Sequence, residues 1–325
     1  MDRRETLAAL LALGFHGTAF AQSPPKVPRV GVLLLTPTST AGAAVEAFRA
    51  ALKAAGYVDG RSIEIDFRSA NGRIERLPEL AAQLVARKVD VIVTGGGNVS
   101  AIAASRATTT IPIVMAGSVD AVEVGLIASL PRPGGNITGL TVPRELATKQ
   151  LEMLRELVAS LARVAVLVRL DPAGAARRAK GKAMAQEFLR LTLDFVEVAE
   201  PEDLAKALAG VRAARPGALL VGPDPVFYDQ REHVIAFARA ARLPAIYPLR
   251  DFVDAGGLLS YSVNPAELCR SMAGYVDRIL KGAKPADLPV EEPREIELVI
   301  NQKTAKQLGL AIPQSLLVRA NEVIQ

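Results

Sequence analysis

The chain has 325 residues, half of them hydrophobic and 22% charged, with a formal net charge of +5. That length and apolar share suffice for about two packed domains and exclude wholesale disorder. One cysteine, Cys269, excludes an intrachain disulfide, and two histidines, His16 and His233, give no basis for a His-rich metal cluster.

Residues 1–21 have the pattern of a secretory leader. Arg3 and Arg4 supply the positive start, and Leu7 to Phe20 a short apolar stretch. Ala19-Phe20-Ala21 is a small-x-small cleavage pattern, which places cleavage after Ala21 and the mature chain in the periplasm. Residues 22–28, including Ser23-Pro24-Pro25-Lys26-Val27-Pro28, read as an extended tether.

From Arg29 onward, β-rich runs alternate with helical patterns, the signature of parallel sheets covered by helices. The first half predicts strands at 30–35, 62–67, 89–93 and 111–115. The second half repeats the layout at 164–168, 191–196, 218–221 and 243–247. In each half the fourth strand opens on an apolar residue and a proline, Ile111-Pro112 and Leu243-Pro244. The expectation is an α/β protein of two Rossmann-like lobes with parallel sheets. Ligands of such sheets sit beyond the carboxyl ends of the strands, and a cleft between two lobes is a preferred small-molecule site.

The strand-end loops are therefore the candidate site. Thr36-Pro37-Thr38-Ser39 follows the first strand, and its hydroxyls serve equally to hold a polar ligand group or, with Thr40, to cap the next helix. Gly95-Gly96-Gly97-Asn98 follows the third strand, where glycines let a ligand anion approach the backbone. This is neither a dinucleotide fingerprint nor a P-loop, because position 100 is serine and no Gly-Lys-Ser/Thr follows. After the fourth strand, Ser118 and Asp120 reach the same crevice. Asp120 accepts from a ligand ammonium or caps a helix from Ala121 to Leu130. In the second half Asp224 takes the place of the triglycine turn, with Phe227 and Tyr228 beside it as aromatic contacts and Tyr247 and Tyr261 nearby. Arg169, after the first strand of that half, suits a carboxylate or a surface ion pair. The basic run Arg177, Arg178, Lys180 and Lys182 lacks interleaved aromatics and reads as a solvated helix face, so no nucleic-acid partner is expected. No catalytic residue, metal ligand or cofactor loop is identified.

Several motifs together resemble a known family. They are Gly56-Tyr57-Val58-Asp59-Gly60, Arg76-Leu77-Pro78-Glu79-Leu80-Ala81, Arg132-Pro133-Gly134-Gly135-Asn136-Ile137-Thr138-Gly139, Phe252-Val253-Asp254-Ala255-Gly256-Gly257-Leu258-Leu259-Ser260-Tyr261, and Leu298-Val299-Ile300-Asn301-Gln302-Lys303-Thr304-Ala305-Lys306. In this order they resemble the ABC-transporter substrate-binding proteins of the tryptophan/tyrosine-import type, over about residues 28–318. The resemblance implies the type I periplasmic binding fold, with hinge crossovers near Thr141, Tyr261 and Glu291. The lobes implied are 29–141 plus 264–290 and 142–263 plus 291–325. They would close on an amino acid or other small carboxylate and present it to a membrane ABC permease. Three stretches depart from the family's usual pattern: Asp120-Ala121, Arg169-Leu170-Asp171-Pro172 and Pro248-Leu249. A periplasmic sensor partnering a membrane receptor, and a Rossmann-fold enzyme, are the rival readings.

Overall fold

A computed structural model describes residues 27–37, 42–143, 145–170 and 174–325. The leader at 1–21, most of the tether, and Thr38 and Ser39 lie outside the described residues.

The first sheet has the order β2-β1-β3-β4-β5 and is parallel throughout: β1 (Arg29–Leu34), β2 (Glu64–Ser69), β3 (Val91–Gly95), β4 (Ile113–Ser118) and β5 (Ile137–Thr141). The central strands β3 and β4 are largely aliphatic runs buried on both faces, as a helix-covered parallel sheet requires, while the edge strand β2 is polar and half-exposed. On one face α2 (Leu77–Ala86) and α3 (Asn98–Ala107) lay Leu80, Leu84, Ala101 and Ala104 over Leu33, Ile92 and Met115. On the other, α1 (Gly42–Ala54) and α10 (Pro265–Leu280) lay Phe48, Leu52, Cys269 and Val276 over Val30, Val32 and Val93. Each fully buried Leu, Ile, Val, Phe or Met among them contributes about 1.5–3 kcal/mol of burial free energy.

The second sheet has the order β12-β11-β10-β9-β8-β6-β7. Its members are β6 (Arg163–Arg169), β7 (Thr192–Val198), β8 (Ala218–Val221), β9 (Ala245–Tyr247), β10 (Leu259–Val263), β11 (Ile296–Asn301) and β12 (Glu322–Ile324). The order β7-β6-β8-β9-β10 repeats that of the first sheet, which is how the internal repeat in the sequence is realised. β11 then runs antiparallel on β10. Helices cover both faces here as well. Helix α4 (Leu146–Leu157) lies on one, with α5 (Ala175–Met184) following β6; α6 (Leu204–Ala214), α7 (Pro225–Asp229) and α8 (Arg231–Ala240) lie on the other.

Three linkers join the sheets, running beside β5 at the edge of the first and beside the β10–β11 pair of the second. The chain passes from the carboxyl end of β5 at Thr141 into α4, and from the carboxyl end of β10 through Asn264 into α10. It returns past Glu291, which bridges Leu140, to start β11 beside the end of β10. At this edge Thr141 N donates to Glu291 O at 3.0 Å, and Asn264 N donates to Glu295 O at 3.0 Å. The carboxyl ends of both sheets therefore flank the hinge.

One expected element is absent. Residues 121–130 form turns rather than a helix. Gly125 at φ +74° and Asp120 at φ +51° bend the backbone out of the helical region, and Leu126 N closes on Ala121 O at 2.9 Å. Asp120 thus caps no helix.

Candidate ligand-binding site

Both sheets reverse their winding direction at one point, between β1 and β3 in the first and between β6 and β8 in the second. The crevice beyond the carboxyl ends at that switch point is where open α/β sheets bind ligands. The residues there are Thr36 and the triglycine turn on one sheet, and Arg169 and Asp224 on the other.

The triglycine turn is shaped by glycine chemistry. Gly96 has φ +104°, and a Cβ on it would stand 2.6 Å from Leu35 Cβ. Gly97, at φ +75° and ψ −153°, is the N-cap residue of α3, and no side chain caps that helix. Its first-turn amides have no intrahelical acceptor, and the helix dipole makes this end positive. Asn98 does not point its amide at the crevice. Its Nδ2 donates to Val119 O at 2.9 Å and its Oδ1 accepts from Val119 N at 2.8 Å, so it ties the turn after β3 to the turn after β4. Ser118 is fully buried, and its Oγ has no hydrogen-bond partner among the described residues. Its carbonyl accepts from Thr141 Oγ1 at 2.6 Å and from Val142 N at 2.8 Å, which fixes it beside the hinge. Thr94, one residue before the glycines, is likewise fully buried with an unpartnered Oγ1. Only its polarity at the end of an apolar strand marks it in the sequence. Thr36 offers its carbonyl to Ser69 Oγ at 2.9 Å.

On the second sheet, Asp224 caps α7. Its Oδ1 accepts from Val226 N at 2.9 Å. Burial pushes its carboxyl above the usual range, opposed by the Val226 amide and by the Arg169 guanidinium. Arg169 ends β6 with its side chain 12% exposed, and Nη2 stands 3.8 Å from Glu200 Oε2. Its Nη1 is buried with no hydrogen-bond partner among the described residues. Arg169 and Asp224 are thus neighbours, with Glu200 at the rim.

Two expected aromatic contacts are corrected. Phe227 is fully buried and Tyr247 1% exposed, both in the core beneath α6 and α8. Tyr247 stacks on Phe252 with centroids 5.1 Å apart. Phe227 turns inward because α7 starts at Pro225, and Tyr247 shares the face of Ala245 by strand alternation. Tyr228 is half-buried, and its hydroxyl donates to Asp251, with Arg231 5.0 Å over its ring. Tyr261 lies in β10 against the core under α4, and its carbonyl accepts from Gln150 Nε2 at 2.8 Å. Surface concavities lined by Arg29, Glu64 and Arg87, and by Pro112, Ile279 and Lys284, lie at the amino ends of the first sheet's strands, away from this crevice.

Two α/β lobes joined by three linkers are the architecture of the type I periplasmic binding fold. The chain belongs to the ABC transporter substrate binding protein family, whose model matches residues 29–324. It is 26% identical over 287 residues to the tyrosine-binding protein of Clostridioides difficile (strain R20291), a match covering 88% of this chain and 82% of that one. Among solved structures it resembles a conserved domain protein from Vibrio cholerae O1 biovar El Tor, with a TM-score of 0.84 and 26% identity over 92% of this chain and 100% of that one. It also resembles the ABC domain of Streptococcus pneumoniae in complex with L-Trp, with a TM-score of 0.83 and 26% identity at the same coverage. Among the described residues no helix is long and apolar enough to cross a membrane.

Proposed function

We propose that this chain captures an amino-acid-like solute between its lobes and delivers it, chemically unchanged, to an ABC permease in the membrane. The lobes are 29–141 plus 264–290 and 142–263 plus 291–325, closing about the three linkers. The leader at 1–21 exports the chain to the periplasm, where capture takes place. The ligand's α-carboxylate sits at the amino end of α3, held by backbone amides after Gly97 and by the Ser118 hydroxyl. Its ammonium meets the Asp224 carboxylate across the crevice. Closure is driven by the better contacts of the closed state.

The single observation that carries this reading is the buried, unpartnered Ser118 hydroxyl beside the uncapped α3 terminus. A buried hydroxyl without a partner costs free energy that a ligand oxygen would recover. Family membership and likeness to an L-Trp-bound structure support the amino-acid class. A thermal-shift panel of amino acids against the mature chain tests it, because a ligand bound to the folded state raises stability by mass action. At least one amino acid raises the melting temperature, and Ser118→Ala and Asp224→Asn each weaken its affinity at least tenfold. A panel with no response would overturn the reading.

A further inference from the structure

Arg169 occupies a place that amino-acid capture alone does not explain. It sits at the winding reversal of the second sheet, on the strand next to the one that leads to Asp224. It is nearly buried, yet among the described residues Nη1 has no hydrogen-bond partner, and Nη2 stands 3.8 Å from Glu200 Oε2. A guanidinium presents five donors in a planar fork, and its best complement is a carboxylate taken by two parallel hydrogen bonds. Asp224 is close enough to influence Arg169 electrostatically, but its Oδ1 is committed to Val226 N. Among the described residues the expected aromatic contacts are largely withdrawn from the lining. Phe227 and Tyr247 are core residues and the Tyr228 hydroxyl is tied to Asp251.

We infer that Arg169 binds a second carboxylate on the ligand's side chain, so that this protein selects an acidic amino acid over neutral or aromatic ones. The inference rests on the capture reading above, and it assigns the three charges of such a ligand in order. The α-carboxylate goes to the α3 terminus and Ser118. The ammonium goes to Asp224, in the turn after β8, the strand that holds the place of β3 in the first sheet. The side-chain carboxylate goes to Arg169, one strand further from the hinge, at the spacing of about 4.8 Å between adjacent strands. Glu200, at the rim, is displaced from Nη2 or stays as a weak outer partner.

Calorimetric titration of the purified mature chain decides it, with L-aspartate and L-glutamate compared with L-asparagine, L-glutamine, L-tyrosine and L-tryptophan. The acids bind at least tenfold more tightly than their amides, which match them in size. Arg169→Gln lowers affinity for the acids at least tenfold and leaves the amides within twofold, so the acid-to-amide ratio collapses. A structural role for Arg169 would lower both together and leave that ratio unmoved. Should Arg169→Gln not fold, the wild-type ratio still decides. Amides, tyrosine or tryptophan binding as tightly as the acids would overturn the inference while leaving the capture reading intact. No binding by any of the six would overturn the inference, and the wider thermal-shift panel then decides the capture reading separately.

Discussion

At the scale of single residues, Asp224 serves two purposes that oppose each other. As a cap it stabilises α7, and as a buried carboxylate it is costly to ionise. Its folded-state pKa lies above the unfolded value, so the folded chain holds the proton more tightly. The stability it contributes is present below the ordinary carboxylate range and is lost as pH rises through the raised value. Asparagine caps equally well and carries no charge, so Asp224→Asn leaves the melting temperature of the unliganded protein at neutral pH unchanged or raised, while weakening ligand binding. A ligand ammonium needs the ionised form, so affinity falls as pH is lowered through that same raised pKa. Asp224→Asn flattens the dependence, and binding measured from pH 4 to 8 would show both. Gly96 makes a separate case. Its φ of +104° and the 2.6 Å approach of Leu35 Cβ leave no place for a methyl group. Gly96→Ala costs about 1–3 kcal/mol of stability, read by urea denaturation.

At the scale of elements, the strands were legible because buried parallel strands are near-continuous aliphatic runs, and all eight expected ones are present within about two residues at their starts. The helix expected over 121–130 does not form. Its apolar spacing suits a helix, but the left-handed Asp120 and Gly125 are backbone states that periodicity does not report. The placement of the candidate site's residues was half legible. Glycines and hydroxyls at strand ends announce a loop near a ligand. Whether an aromatic such as Phe227 faces that loop or the core depends on the first turn of α7, which the pattern leaves open. Alternation in β9 does carry the answer for Tyr247, through its partnership with Ala245. Gly139 shows how closely an element's fit can be set: a Cβ there would fall 2.2 Å from Met115 O, on the strand that leads into the first linker. Gly139→Ala breaks the pairing of β4 with β5 and costs about 3 kcal/mol, measurable as a fall in denaturation midpoint.

At the scale of the whole molecule, the three linkers allow the lobes to rotate while each core stays intact. Ligand at about a hundred times its dissociation constant adds about 2.7 kcal/mol of stability. Closure also reduces the radius of gyration, so small-angle scattering should show a smaller particle with ligand than without. Unchanged scattering with a raised melting temperature would mean capture without lobe movement.

The path of the chain also sets an order of assembly. Tyr57 on the first lobe bonds Asp277 of α10, 220 positions later. Until α10 is made, α1 alone covers that face, and Val30, Val32, Phe48 and Leu52 lack Cys269 and Val276, which complete their cluster. The lobe that is synthesised first is completed after most of the other, so a nascent chain halted at Asn264 would present a raw apolar face to chaperones and to hydrophobic dyes.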